Sequence, residues 1–90
     1  MSCHVYMLKS FKNSKYYVGI SSDVIRRLKE HNGDKLKTTA KNKPYIIVFI
    51  KEYSDYKTAR KHEIWLKKKS IKYKDKVAQL FSPLNYAQKN

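Results

Sequence analysis

Ninety residues leave room for one domain, and an apolar content of 41% supports a globular core of modest size rather than a disordered chain. Twenty-one Lys and Arg against seven Asp and Glu give a formal charge of +14, a self-repelling excess that a polyanion relieves, so nucleic acid is the expected partner through phosphate neutralisation and counterion release. A single cysteine excludes an internal disulfide and His4, His31 and His62 show no zinc spacing. With no signal-peptide core and no apolar run of membrane-spanning length, a soluble, intracellular, cytoplasmic protein with no membrane partner is expected.

In chain order, His4 to Leu8 reads as a strand, with Val5 and Met7 on one face and Tyr6 and Leu8 on the other. Lys9 to Lys15 is polar and carries the turn formers Asn13 and Ser14. Tyr16 to Ile20 is a second strand, with Tyr17 and Gly19 on one face. A hairpin turning near Lys12 or Asn13 sets Tyr6 opposite Gly19 and Tyr17 on the diagonal, so both tyrosines share a face. Ser21, Ser22 and Asp23 open a helix that runs to about His31 and stops at Asn32-Gly33. Val24, Ile25 and Leu28 form its apolar stripe, Arg27 and His31 lie on the edge of that stripe, and Arg26, Lys29 and Glu30 point away.

Asp34 to Lys43 is a basic loop. Pro44 leads into Tyr45 to Ile50, an apolar, β-branched third strand with both faces at least partly covered. Ser54 and Asp55 cap a second helix running to about Lys68, with Tyr56, Ala59 and Leu66 as its inward stripe. Ser70 to Leu80 is a last short helix, with Ile71, Val77 and Leu80 turned inward, and Ser82 to Asn90 is a tail. The order is ββαβαα: an α+β fold with a three-stranded antiparallel sheet flanked by helices, one domain over 1–81 and a tail over 82–90.

Glu63 is the anomaly in this pattern, because it falls in the apolar stripe between Ala59 and Leu66. A carboxylate facing a core is costly unless it is paired or binds a metal. The alternatives are an ion pair with Arg or Lys, and a stem that reaches out between Tyr56 and Leu66. Arg27 and His31 stand one helical turn apart. They read either as cations for a phosphoryl-transfer transition state or as a solvated basic edge. Tyr6 and Tyr17 are packing residues or a general base. Gly19, on the Tyr17 face, leaves space for a substrate or a backbone to approach.

The lysines Lys67, Lys68, Lys69, Lys72, Lys74 and Lys76 are interleaved with Trp65 and Tyr73, a surface suited to phosphates and a stacked base. The seven carboxylates form no close cluster in the sequence, and no glycine-rich phosphate loop or H-E-x-x-H is present. A nuclease built on this chain would therefore work with one carboxylate and one divalent ion.

The segments H-V-Y-M-L and Y-V-G-I-S, with tyrosines eleven residues apart, resemble the two motifs of the GIY-YIG nucleases. S-S-D-V-I-R-R-L-K-E-H-N is similar to that family's arginine helix, and A-R-K-H-E-I-W-L-K to its glutamate helix. The likeness spans about residues 3–80 and is nearest to the small stand-alone subgroup related to the N-terminal nuclease domain of the bacterial excision-repair endonuclease. It implies a hydrolase: a metal-dependent endonuclease that cuts DNA, structure-selective in repair or recombination, acting as a monomer or weak homodimer. It further implies that Tyr6 or Tyr17 helps deprotonate the attacking water, that Arg27 stabilises the scissile phosphate and that His31 assists proton transfer. Glu63 would be the sole carboxylate ligand of one Mg²⁺ or Mn²⁺ ion, and Gly19 would be the glycine of the second motif. The first motif departs from the pattern, with His4-Val5-Tyr6 in place of Gly-Ile-Tyr, which leaves the substrate-side geometry open. A non-catalytic nucleic-acid-binding module of the same fold is the alternative, and charge alone does not separate DNA from RNA.

Overall fold

Strand pairing explains the extent of the sheet better than local propensity does. The computed structural model describes residues 2–33 and 43–81. β1 (Cys3–Ser10) is its central strand, with β2 (Tyr16–Ser21) and β3 (Tyr45–Tyr53) antiparallel on either side. β1 and β3 both outrun the sequence reading. Lys51, Glu52 and Tyr53 pair with Val5, His4 and Cys3, so a partner strand holds Lys51 and Glu52, whose own preference is weak.

The hairpin has the anticipated register, with Tyr6 opposite Gly19 and Leu8 opposite Tyr17. Buried Ser10 anchors its turn: the hydroxyl accepts from the Lys12 and Asn13 N–H groups at 3.0 and 3.3 Å, and the Ser10 N–H donates to the Lys15 carbonyl at 2.9 Å. Ser14 closes the turn with φ of 61°. Between Met7 and Leu8 the pairing with β3 jumps from Phe49 to Ile47. The extra residue, Val48, and its neighbour Phe49 consequently both join the same core cluster.

The two sheet faces carry separate cores. Cys3, Val5, Met7 and Val48 pack with Ala59 and Leu66 of α2 (Tyr56–Lys67) and with Val77 and Ala78 of α3 (Ile71–Leu80). Tyr6, Leu8, Tyr17, Tyr45, Ile47 and Ile50 pack with Val24 and Leu28 of α1 (Val24–Asn32). The result is a helix, a sheet and a helix pair in three layers, in the order ββαβαα. Each helix starts on a side-chain cap. Asp23 accepts from the Arg26 N–H at 3.0 Å, Asp55 from the Thr58 N–H at 2.7 Å, and Ser70 from the Tyr73 N–H at 3.2 Å.

Four expected inward side chains are exposed: Ile25 at 56%, Tyr56 at 63%, Ile71 at 64% and Leu80 at 80%. The reason is geometric. α1 touches the sheet along Val24, Leu28 and His31, a line that leaves Ile25 about 100° away. Tyr56 and Ile71 occupy the first positions of their helices and Leu80 the last position of α3, beyond the turns that reach the sheet. Glu30 is corrected in the other sense: it turns back to Arg27 rather than pointing away. The basic loop, apart from Lys43, and the tail lie outside the described residues.

Candidate active site

Tyr6 rises from the middle of β1 into the α1 layer and is 3% exposed. Its ring leans across the strand onto Gly19. A Cβ at Gly19 would sit 2.5 Å from the Tyr6 hydroxyl oxygen and 2.7 Å from Cζ. The space expected at Gly19 is therefore taken by the Tyr6 phenol itself, and glycine is required for that close approach.

Arg27, on the α1 edge, meets this phenol. The Tyr6 hydroxyl lies within hydrogen-bonding reach of its guanidinium and, with Glu30, holds the arginine pKa above its ordinary value. Arg27 Nη1 donates to Glu30 Oε1 at 2.9 Å. Arg26, its neighbour in sequence, is exposed, so the two arginines face as the helix phase read from the apolar stripe predicts.

His31, one turn further on, is buried among aromatic rings. Its centroid lies 6.4 Å from both Tyr6 and Tyr17 and 5.7 Å from Tyr45. Burial, then the nearby Arg27 charge, pushes its pKa below the usual imidazole value, against a smaller opposing effect of Glu30. It is accordingly neutral near pH 7. Tyr45 completes the cluster with its ring edge-on to Tyr17 at 5.3 Å. Asn32 fixes Tyr45 from the end of α1, accepting from its N–H at 2.6 Å and donating to its carbonyl at 3.1 Å. Sequence reasoning missed Tyr45, Asn32 and Glu30. Asn32-Gly33 signalled only a helix end, and the face that Tyr45 takes depends on a bulge with no local signature.

Glu63 is buried, as its place in the stripe required. Its partners are those of the ion-pair alternative: Arg60 Nη1 contacts Oε1, and Lys67 Nζ lies 3.4 Å from Oε2. α2 sits on the other layer from α1, but both helices pack against the edge strand β2. The carboxylate and the arginine of the tyrosine–arginine cluster thus belong to helices on opposite faces of the sheet. Among the described residues no group of three or more His, Cys, Asp or Glu could hold a metal ion. Glu63 offers a hard oxygen donor suited to a divalent ion that completes its shell with water and phosphate oxygens, as Mg²⁺ commonly does.

The expected phosphate-binding lysines are partly engaged. Lys67 is drawn to Glu63, and Lys74 Nζ donates to the Lys67 carbonyl at 3.4 Å. Lys69 lies over Trp65 at 4.4 Å and Tyr73 at 5.6 Å. Lys68 and Lys72 stand exposed. A further link escaped the sequence: the Tyr16 hydroxyl donates to the Asp75 carboxylate and ties β2 to α3. Burial, then Asp75, pushes the Tyr16 pKa up to about 12. A cleft of about 610 Å³ opens beside this pair, lined by Lys9, Phe11, Ile46 and Gln79 among others, and contains none of the cluster residues.

This fold, with a β1 tyrosine facing a β2 glycine and an arginine presented by the first helix, is matched by the GIY-YIG catalytic domain over residues 2–76, and the chain belongs to the GIY-YIG nuclease family. Its relatives are small UPF0213 proteins. One from Listeria monocytogenes serotype 4b is 41% identical over 71 residues, covering 78% of this chain and 79% of that one. UPF0213 protein YazA of Bacillus subtilis is 29% identical over 73 residues, covering 80% and 74%. The solution NMR structure of a UPF0213 protein from Bacillus halodurans superposes with a TM-score of 0.59 at 29% identity, covering 93% of this chain and 90% of that chain. Among the described residues no helix is long and apolar enough to cross a membrane.

Proposed function

We propose that this protein is an endonuclease that hydrolyses phosphodiester bonds in DNA, selecting its substrate by structure, with one Mg²⁺ or Mn²⁺ ion. The observation that carries the reading is the meeting of Arg27, Tyr6 and a neutral His31 in one cluster at the end of a basic α1. Arg27 is fixed by Glu30 and Tyr6, so its charge is already aimed when a phosphate arrives, and little reorganisation remains for the transition state. Tyr6, Tyr17 and His31 are the groups able to take a proton from the attacking water. His31 suits that task, because its depressed pKa keeps the imidazole in its basic, neutral form at neutral pH. Glu63 is the residue that would hold the divalent ion, which when bound polarises a phosphate oxygen.

The test is incubation of the purified protein with duplex, single-stranded, flapped and branched DNA and the matching RNAs, in Mg²⁺, Mn²⁺ or EDTA. Metal-dependent cleavage lost in Arg27→Ala and Glu63→Ala, both still folded, supports the reading. Undiminished cleavage by Glu63→Ala sinks the metal assignment. Salt-sensitive binding without cleavage in any metal marks a binding module instead.

A further inference from the structure

Among the described residues two cations hold Glu63, and their geometry bears on how an ion reaches it. Arg60 and Lys67 lie one turn below and one turn above Glu63, at roughly 60° and 40° round the helix from it, so they close over the carboxylate from one flank. Each takes a different carboxylate oxygen. The Glu63 side chain is 8% exposed, whereas those of Arg60 and Lys67 are 48% and 52% exposed. The cations reach in from solvent and can swing back to it.

The local balance is one negative charge against two positive ones, which disfavours a divalent cation at the only carboxylate of the stripe. An incoming nucleic-acid backbone reverses that balance. Its phosphates offer both side chains a stronger partner, Arg60 through a bidentate fork and Lys67 as a point charge. They also supply the oxygens that a single protein carboxylate cannot.

We infer that Arg60 and Lys67 are positioning residues that shield Glu63 in the free protein and transfer to nucleic-acid phosphates on binding, so that the divalent ion and the nucleic acid load together. This rests on the assignment of Glu63 as the metal ligand. Linkage makes the coupling reciprocal: nucleic acid raises metal affinity by the same factor by which metal raises nucleic-acid affinity.

The experiment measures Mn²⁺ binding by electron paramagnetic resonance, with and without a DNA duplex carrying uncleavable phosphorothioate linkages, on wild type, Arg60→Gln with Lys67→Gln, and Glu63→Gln. Wild type should bind Mn²⁺ weakly alone and about ten-fold more tightly with DNA. The double variant should bind Mn²⁺ alone about ten-fold more tightly than wild type, and DNA should raise its affinity by less than it does in wild type, because only the phosphate oxygens still contribute. Arg60→Lys with Lys67→Arg, which keeps both charges, should behave as wild type. Circular dichroism checks folding, and the single Lys67→Gln variant, expected to move part of the way, stands in should the double variant not fold.

The idea is overturned if removing the cations leaves Mn²⁺ affinity unchanged while Glu63→Gln removes binding, because the ligand then stands and the shield does not. Unchanged Mn²⁺ binding in Glu63→Gln overturns the ligand assignment itself, a separable result.

Discussion

Arg27 has its direction set by two acceptors, Tyr6 and Glu30, so Arg27→Ala should lower cleavage by about a hundred- to a thousand-fold, the usual loss on removing a transition-state donor. Thermal unfolding should barely change, because the side chain lies at the edge of the core. Gly19→Ala should do the opposite. Its Cβ would meet a Tyr6 ring that is itself buried, costing roughly 1–3 kcal/mol in chemical denaturation as the ring is forced aside. The histidines give a pH dependence. Burial lowers the pKa of both His31 and His62, with Arg27 and Lys51 respectively as secondary causes. The unfolded chain therefore binds protons near pH 6.5 while the folded one stays neutral until lower pH. Stability should be flat above that pH and fall as the pH drops below it, and His31→Gln should flatten part of the decline in a melting-temperature profile.

α1 is nine residues long, too short to persist on its own propensity, and depends on its ends and its buried face. Its N-terminus rests on Asp23 and its last residue is bound to β3 through the Asn32 pair with the Tyr45 backbone. Asn32→Ala would remove both hydrogen bonds to the Tyr45 backbone and should cost roughly 1–3 kcal/mol, with Arg27 and His31 losing their fixed placement. Hydrogen exchange should then rise in α1 and at the start of β3 rather than across α2. Equal loosening in α2 would refute this division of the layers. At this scale much was legible: the caps, the shared face of Tyr6 and Tyr17 in the hairpin and the Ala59–Glu63–Leu66 stripe follow from period and turn chemistry, whereas the exact register does not. Ile25, Tyr56, Ile71 and Leu80 were misjudged because a helical period fixes relative directions but not which turns lie over the sheet.

The whole molecule carries +14, and its nucleic-acid affinity should depend steeply on salt. If about six phosphates are neutralised, affinity should fall on the order of a thousand-fold between about 50 and 200 mM salt. Lys68 and Lys72 stand in solvent, so replacing both with Gln should lower the slope of log affinity against log salt by about 1.8. An unchanged slope would place the contact surface elsewhere.

Composition and periodicity alone determined the charge, the ββαβαα order, the choice of Arg27 over Arg26 and the burial of Glu63. These properties are set by residue type and by a local repeat. Tertiary structure alone decided the rest: that Tyr6 fills the room left by Gly19, that Asn32 and Tyr45 close the cluster, and that Arg60 and Lys67 cover Glu63. The Tyr6, Asn32 and Tyr45 placements depend on strand register, on the bulge at Val48 and on the meeting of α1 with β3, which bring together residues distant along the chain. The Glu63 pairs are close in sequence, yet pattern alone did not say which Arg or Lys residues would pair with it. That choice came from the packing of α2 on the sheet, which buries the carboxylate and leaves its own flanking cations as its nearest partners.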